Sequence, residues 1–251
     1  MLLVKRLLLV VLPVLLLTGV LGVANAMAAP ALDKVHTGRG TSKSTNWSGY
    51  ATYNSTFSHV KGDWTVPQVN CSSTKGQQVA ITTAFVGLDG YFSSTVEQSG
   101  TDSDCVGKNA SYVAWYEFYP DRAVFLGNEV QPGDHMHAEA TVSGGNVTLT
   151  LQNVTRGWSL SPQPSISTSG LQLSSAEWIV ESPAQKLAPF STVPFSNAGA
   201  SNATVTDGAI NDSHWSNDAI TMVSKNGRTI RTYPTPAQNA STSFTVNFQS
   251  P

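Results

Sequence analysis

After about residue 44 the chain is a succession of short apolar runs, each separated from the next by Gly, Asn, Pro or Asp. Within many runs apolar and polar residues alternate, which is the period of a β-strand, and almost no helical periodicity is present. Turn sequences such as Ser143-Gly-Gly-Asn146 and Asn226-Gly227 suit hairpins. Closely spaced strands with tight turns build packed antiparallel sheets. The sequence therefore predicts an all-β fold, an antiparallel sandwich or barrel.

About a dozen runs have the length and pattern of strands. The predicted strands are 46–53, 60–65, 78–88, 96–100, 112–119, 135–142, 146–153, 177–181, 190–198, 219–223, 229–234 and 243–248. The region with the most turn residues, 156–175, is predicted as a loop of about 20 residues, and loops of that length in a compact domain are often functional. No internal repeat and no domain break interrupts residues 44–251.

The N-terminal segment has a different pattern. Lys5 and Arg6 precede an apolar run over 7–20, and small residues follow in Ala24-Asn-Ala26 and Ala26-Met-Ala28. This order is typical of a secretory signal peptide. An uncleaved membrane anchor is the alternative, although the apolar run is short for a span. We predict a secreted, extracellular protein with a signal peptide over 1–28, a leader or short propeptide over 29–43, and one β-sandwich domain over 44–251.

Charge and cysteine content exclude several functions. The formal net charge is −2 and no basic stretch suits nucleic acid. Cys71 and Cys105 are the two cysteines, and in a secreted chain we expect them to form a disulfide. Such a bond contributes on the order of 3–4 kcal/mol in the chain-entropy model. His135-Met-His137 lacks zinc-ligand spacing, so a solvent-facing strand end is favoured over a metal site.

The stretch Ser175-Ala-Glu-Trp-Ile-Val-Glu181-Ser-Pro183 reads as a strand that ends at a proline. Because side chains alternate faces, Glu177, Ile179 and Glu181 share one face, and Trp178 and Val180 share the other. From this segment alone, the favoured interpretation is that one or both carboxylates point to solvent from the outer face of a sheet. The alternative is a buried or concave face, where an acid must be paired or used.

Two further strands carry polar groups of interest. In Ser94-Thr-Val-Glu-Gln-Ser-Gly100 the side chain of Gln98 points away from that of Glu97. In Tyr112-Val-Ala-Trp-Tyr-Glu-Phe-Tyr-Pro120 an acid is flanked by aromatic residues on one face. This face fits a substrate-binding floor or an aromatic core with a satisfied carboxylate. No G-x-S-x-G, H-E-x-x-H, P-loop or dinucleotide-binding motif is present, which leaves carboxylate and amide chemistry for a hydrolase.

Six short motifs, in order and spread over roughly residues 44–248, resemble those of the eqolisins, or glutamic peptidases. They are Asn46-Trp-Ser-Gly49, Phe85-Val-Gly-Leu-Asp-Gly90, Glu97-Gln-Ser-Gly100, Ala114-Trp-Tyr-Glu-Phe-Tyr-Pro120, Ala176-Glu-Trp-Ile-Val-Glu181 and Leu187-Ala-Pro-Phe190. Any one of them is a weak signal, whereas six in the correct order make a specific match. The short leader and single cysteine pair favour a bacterial type of member.

The resemblance implies two bent antiparallel sheets, concanavalin-like or jelly-roll-like, with a concave cleft. It implies acid endopeptidase activity by a Gln–Glu dyad, which falls on Gln98 and Glu181. The substrate-binding positions that it implies are Phe85, Asp89, Asp102, Glu117 and, more loosely, Trp47 and Tyr119. The family often has Trp where this chain has Phe85. From the residues alone, Asp89 in a Gly-Leu-Asp-Gly turn is as well explained by turn geometry.

The implied mechanism uses an ionised Glu181 to take a proton from water and later return it to the leaving amine, while Gln98 stabilises the oxyanion. We expect protein or peptide substrates, no metal or cofactor, no nucleic acid, no membrane association after signal removal, and a monomer. Two alternatives stay open: a glycoside hydrolase that pairs Glu117 with Glu181, and a non-catalytic carbohydrate-binding sandwich.

Overall fold

A computed structural model describes residues 34–38, 40–76, 78–183 and 186–251. The predicted signal peptide and residues 29–33 lie outside the described residues. The strands are β1 Lys34–Gly38, β2 Thr41–Ser44, β3 Trp47–Tyr53, β4 His59–Thr65, β5 Val79–Leu88, β6 Val96–Val106, β7 Asn109–Tyr119, β8 Val124–Phe125, β9 His135–Ser143, β10 Asn146–Asn153, β11 Trp158–Ser159, β12 Ser165–Ser167, β13 Ser175–Glu181, β14 Thr192–Ser201, β15 Ser216–Val223, β16 Ile230–Pro234 and β17 Phe244–Phe248. One turn of 3₁₀ helix, Cys71–Ser73, follows β4.

The strands form two layers. The first sheet has the order β2-β15-β3-β13-β5-β6-β7-β8, and all its pairs are antiparallel except β2–β15. The second has the order β17-β14-β4-β9-β10, with β11 and β12 both paired to β10. Strand β16 pairs with both β15 and β17 and so joins the two sheets at one edge. The predicted antiparallel sandwich is confirmed.

The main core lies between the two sheets and contains buried residues of both, including Trp64, Trp178, Met136 and Phe195. Two indole N–H groups also join the layers. That of Trp64 donates to Thr101 Oγ1 at 2.9 Å, and that of Trp178 donates to the Lys61 carbonyl at 2.7 Å. A buried indole N–H needs such a partner, so these bonds fix how the sheets stack.

A second apolar cluster covers the opposite, outer face of the first sheet. Its buried members are Trp47, Ala51, Phe85, Tyr91, Trp115, Ile179 and Ile220. The first sheet is therefore buried on both faces. This explains why its strands are nearly continuous in buried residues, as β13 is from end to end. Polar side chains on this outer face consequently lie in a low-dielectric environment.

Each predicted strand overlaps an observed one, and the predicted disulfide between Cys71 and Cys105 is present, with 5.3 Å between the Cα atoms. The segment predicted as a leader contains β1 and all of β2 except Ser44, and β2 is a sheet strand beside β15. The predicted loop over 156–175 contains the short strands β11 and β12. Within the described residues, no helix has the length and apolar character needed to cross a membrane.

Candidate active site

Strand β13 places Glu177, Ile179 and Glu181 on the outer face of the first sheet. Trp178 and Val180 point into the core between the sheets, as the period of two predicts. The favoured expectation of a solvent-facing carboxylate is wrong, because neither glutamate has any exposed surface. The reason is that the outer face is itself covered by an aromatic cluster, which comes from strands distant in sequence. The two acids are therefore buried in a polar site.

The register of the sheet sets Gln98 and Glu117 side by side. Glu177 of β13 lies opposite Gly87 of β5, Gly87 opposite Gln98 of β6, and Gln98 opposite Glu117 of β7. A Cβ atom at Gly87 would lie 2.9 Å from the Cβ of Gln98, closer than real side chains approach. Glycine at position 87 therefore leaves the space that the Gln98 side chain occupies.

A second polar row lies four residues along the strands. It contains Trp47 of β3, Glu181 of β13, Thr83 of β5 and Asp102 of β6. The row between the two is apolar and includes Phe85 and Trp115, with Gly100 between them. An aromatic row thus separates the row of Gln98 and Glu117 from the row of Glu181 and Asp102. Glu117 of the first row nevertheless lines one cavity together with Glu181 and Asp102 of the second.

Hydrogen bonds hold the polar side chains in place. Gln98 Nε2 donates to Glu117 Oε2 at 2.6 Å. Gln98 Oε1 is buried and has no hydrogen-bond partner among the described residues. Asp102 Oδ1 accepts from Thr83 Oγ1 and from Trp115 Nε1, each at 2.7 Å. One amide N–H and the amide oxygen of Gln98 therefore remain able to bind a further group.

A small cavity opens between these side chains. Its lining residues are Thr83, Asp102, Trp115, Glu117, Ala123, Phe125, Glu181 and Pro183. The volume in which the centre of a water molecule fits is about 20 Å³, which is enough for one water. Three of its walls carry carboxyl groups. Gln98 is not among the lining residues, but it is hydrogen-bonded to Glu117, which is one of them.

The environment of Glu181 favours its protonated form. Burial raises its pKa well above the ordinary value, and the nearby charges of Glu117 and Asp102 raise it further. Asn46 Nδ2 donates to Glu181 Oε1 at 3.2 Å and opposes this increase. The Trp47 indole N–H also lowers this pKa, although it lies outside normal hydrogen-bond geometry. The net direction is upward because desolvation is the largest effect.

Among the described residues, Asp102 accepts two hydrogen bonds, whereas Glu181 accepts one, from Asn46. Burial raises the pKa of Asp102 to about 6, and the hydrogen bonds from Thr83 and Trp115 hold it below what burial alone would give. The neighbouring Asp104 has its pKa raised to about 9 by burial and by the charge of Asp102. Carboxyl groups this close together titrate as a unit. The cluster therefore takes up protons well above the ordinary range of carboxylic acids.

The remaining predicted site residues occupy different positions. Trp47 and Phe85 are buried and pack edge to face, with ring centroids 5.5 Å apart. Asp89 accepts the backbone N–H groups of 172, 173 and 174, so its hydrogen bonds fix a loop. These contacts support a structural role for Asp89, although in the loop 172–174 and not within the Gly-Leu-Asp-Gly turn, and substrate binding by Asp89 stays a prediction. Tyr119 is partly exposed, two residues beyond Glu117 on the same side of β7.

The sequence did not single out several residues of the cavity. Thr83, Ala123, Phe125 and Pro183 line it, and Asn46 binds Glu181. Asn46 and Pro183 stand in stretches that the sequence marked for other reasons. Thr83 could have been found only from the strand register that sets it opposite Glu181, and a single sequence does not specify register.

Comparison with known proteins decides the family. The profile of the peptidase A4 family matches residues 45–246, which is most of the chain. The chain belongs to the peptidase A4 family. It is 32% identical over 158 residues to aspergillopepsin-2 of Aspergillus niger, a match over 55% of this chain and 56% of that protein. The matched region thus spans about half the length of this curated relative, and the predicted glutamic peptidase family is confirmed.

Solved structures show the same fold. Scytalido-glutamic peptidase with a transition state analogue inhibitor matches with a TM-score of 0.67 at 23% identity, over 82% of this chain and 98% of that one. Aspergilloglutamic peptidase from Aspergillus niger matches with a TM-score of 0.53 at 26% identity, over 68% of this chain and 99% of that one. The sandwich of this A4 family member is therefore that of glutamic peptidases of known structure.

Proposed function

We propose that this A4 family member is a secreted acid endopeptidase that hydrolyses peptide bonds of proteins with a Gln98–Glu181 dyad and one activated water. It acts as a monomer and needs no metal or cofactor. Family membership supports the reaction class. One observation carries the assignment of residues. A cavity with space for a single water is lined by Glu181 and Glu117, and Glu117 holds the amide of Gln98.

The raised pKa of Glu181 changes the expected starting state of the reaction. The mechanism implied by the family resemblance begins with an ionised Glu181, whereas burial favours the protonated carboxyl at acid pH. We therefore start the cycle with protonated Glu181, which gives its proton to the carbonyl oxygen of the scissile bond. The resulting carboxylate takes a proton from the attacking water as the new C–O bond forms and yields a geminal diol.

The same carboxyl group completes the cycle. Glu181 donates the proton from water to the leaving nitrogen, and the C–N bond breaks. A diol hydroxyl then returns a proton to Glu181 as the carboxylic acid product forms. One acid thus transfers every proton, and no proton is gained or lost over the cycle. General acid–base transfer of this kind contributes typically about 10²–10⁴-fold to the rate.

Gln98 is suited to hold the diol-like transition state. Its second amide N–H can donate to the former carbonyl oxygen, and its unpaired Oε1 can accept from the attacking water. Glu117 fixes the orientation of the amide through the bond at 2.6 Å. A neutral amide keeps its donor at any acid pH, whereas a second acid in its place would have to share a proton with Glu181.

We predict that Gln98→Ala lowers kcat for peptide hydrolysis by about 10²–10³-fold, the loss expected for one donor to a developing oxyanion. Digestion of denatured casein by the mature chain between pH 2 and 7 measures this. Circular dichroism must show that the variant is folded. Full activity of Gln98→Ala would remove the glutamine from the mechanism and leave Glu181 as the proposed acid.

The carbohydrate alternatives need their own test, because Glu117 and Glu181 line one cavity, as a glycoside hydrolase would require. The mature chain and its Gln98→Ala variant are therefore also incubated with polysaccharides. A glycoside hydrolase would release reducing sugar from polysaccharides and would tolerate Gln98→Ala. A carbohydrate-binding protein would retain polysaccharide without turnover. Casein cleavage at acid pH, unaffected by a chelator and without release of sugar, is the result that we expect. No casein cleavage at any pH by the mature chain would overturn the peptidase proposal.

A further inference from the structure

A second, larger cavity lies next to the small one. It has a volume of about 550 Å³, and its lining includes Asn46, Pro183, Lys186, Lys225 and Arg231. Asn46 precedes β3, and Pro183 follows β13. Both therefore lie at the end of the sheet that carries Glu181, on the side away from Gln98. Pro183 lines both cavities, and the Asn46 amide donates to Glu181 Oε1 at 3.2 Å. The larger cavity therefore begins beside the proposed catalytic acid.

The charge of this cavity is positive. Three of its lining residues are Lys or Arg, and the described residues that line it include no Asp or Glu. Pro251, the last described residue, also lines it, so one α-carboxylate offsets part of this charge and the balance stays positive. Its polar walls are completed by hydroxyl and amide groups of residues such as Ser224 and Asn46. Like charges around one space repel each other unless an anion lies between them. A positive cavity of this size beside an acidic cluster is thus suited to an anionic group of a ligand.

Arg231 is the most informative of these cations. Arg231 is only 8% exposed, and burial lowers the pKa of its guanidinium. Its hydrogen bond within the described residues is a long one, from Nη1 to the Thr45 carbonyl at 3.5 Å. A guanidinium has five N–H donors. No Arg231 nitrogen is both buried and without a hydrogen-bond partner among the described residues, so the donors that do not bind Thr45 remain accessible. A carboxylate that binds in two-pronged geometry fits these donors.

Lysine residues widen the positive region toward solvent. Lys186 Nζ donates to Gln78 Oε1 at 2.8 Å and is held at the rim, while Lys225 is exposed. A flexible ammonium group at the entrance attracts an anion, and the buried planar guanidinium then orients it. The arrangement combines a buried planar guanidinium with two ammonium groups, which suits recognition of a carboxylate by its shape and charge.

We infer that this cavity binds a carboxylate of the peptide substrate, next to the bond that Glu181 cleaves. The carboxylate is either an acidic side chain near the scissile bond or the C-terminal carboxylate of a short peptide. The inference rests on the proposed peptidase function and adds a substrate preference to it. An extended peptide advances about 3.3 Å per residue. A residue within a few positions of the scissile bond therefore reaches the cavity.

The experiment uses peptides built on one sequence that the enzyme cleaves. Acetylated, amidated versions carry Glu or Gln at each position within four residues of the cleaved bond, and a further version has a free C-terminal carboxylate. We measure kcat/KM at pH 4.5 with wild type and with Arg231→Gln and Lys225→Gln. We expect about a tenfold preference for Glu over Gln at one position, or for the free acid over the amide. Which pair differs identifies the source of the carboxylate.

Arg228→Gln is the matched control, because Arg228 is exposed, lies three residues from Arg231 and does not line the cavity. It should keep the full preference, whereas Arg231→Gln and Lys225→Gln should lose most of it. If Arg231→Gln does not fold, the exposed Lys225→Gln still tests the inference. Equal rates for Glu and Gln at every position, and for acid and amide, would overturn it.

A failure of the proposed function is distinguishable from a failure of this inference. If the proposed peptidase function is wrong, wild type would cleave none of the peptides at any pH. Calorimetry of the same Glu and Gln peptides binding to wild type then tests the carboxylate site without any need for cleavage. Tighter binding of the Glu or free-acid peptide, weakened by Lys225→Gln and unaffected by Arg228→Gln, would support a carboxylate site. Equal binding of both members of every pair would overturn it.

Discussion

Glu117 links the two residues of the proposed dyad. Its carboxyl accepts the Gln98 amide at 2.6 Å, and its charge raises the pKa of Glu181. It lies within the cavity but is not needed to transfer a proton in the proposed cycle. In the proposed mechanism Glu117 therefore orients Gln98 and keeps Glu181 protonated to higher pH.

We predict that Glu117→Gln shifts the alkaline limb of the activity profile to lower pH. Removing a negative neighbour lowers the pKa of Glu181, so its protonated form is lost earlier as pH rises. The measurement is kcat for peptide cleavage from pH 2 to 8. Glu129→Gln, at an exposed site, is the control that should leave the limb in place. An unmoved or upward-shifted limb in Glu117→Gln would show that this charge does not act on Glu181.

At the scale of elements, strand β5 spaces the two polar rows. It provides Thr83 to the Glu181 row, and its Gly87 leaves space beside Gln98. A Cβ atom at position 87 would also lie 3.0 Å from the Glu97 carbonyl, which is backbone and cannot move away easily. The strand therefore tolerates little added volume at this point.

Gly87→Ala should lower the free energy of unfolding by about 1–3 kcal/mol, the usual effect of overpacking a buried site. It should also lower kcat, because the added methyl displaces Gln98 from Glu117. Urea unfolding and peptide cleavage measure the two effects. Gly127→Ala is the control, since a Cβ atom there meets nothing within 4 Å. A Gly87→Ala variant with wild-type stability and kcat would contradict the packing argument.

The strand pattern of the sequence predicted the elements well and their surroundings poorly. Period-two alternation located the longer strands and assigned Glu177 and Glu181 correctly to one face. Strands β8, β11 and β12 were missed, because two or three residues carry no measurable period. Strands β1 and β2 were missed because the polar segment that contains them was predicted as a leader. The burial of both glutamates was missed because the cover comes from Trp47 and Trp115, whose positions depend on strand register.

At the scale of the whole molecule, buried acids make stability depend on pH. Burial and the charge of Asp89 raise the pKa of Glu97 to about 8, and burial raises that of Glu177 well above its ordinary value. Neither carboxyl makes a hydrogen bond of normal geometry with the described residues. The folded state therefore binds more protons than the unfolded chain between about pH 4.5, the ordinary value for Glu, and pH 8.

The sign of the effect follows from this difference. Because the folded pKa is the higher one, the stability contributed by the protonated acids is fully present below about pH 4.5 and is lost as pH rises through the folded values. A tenfold difference in proton affinity between the folded and unfolded states corresponds to about 1.4 kcal/mol. We predict a fall of several kcal/mol in the free energy of unfolding between pH 4 and pH 8, measured by urea titration.

Glu97→Gln is the variant that identifies the source of this fall. An amide keeps the shape of the protonated acid and does not ionise, so the variant should lose less stability between pH 4 and pH 8 than wild type. Glu129→Gln should behave as wild type, since Glu129 is largely exposed. A stability that is constant or rises over this interval would contradict the account of buried protonated acids.

The most direct measurement compares Glu181→Gln with Glu177→Gln. Both glutamates lie on β13, on the same face and without exposed surface, and they differ mainly in which polar row they join. We predict that Glu181→Gln lowers kcat for peptide cleavage at acid pH by about 10³-fold or more, while Glu177→Gln stays within a few-fold of wild type. Glu181→Gln with near-normal kcat, or an equal loss in both folded variants, would contradict the assignment of Glu181 as the catalytic acid.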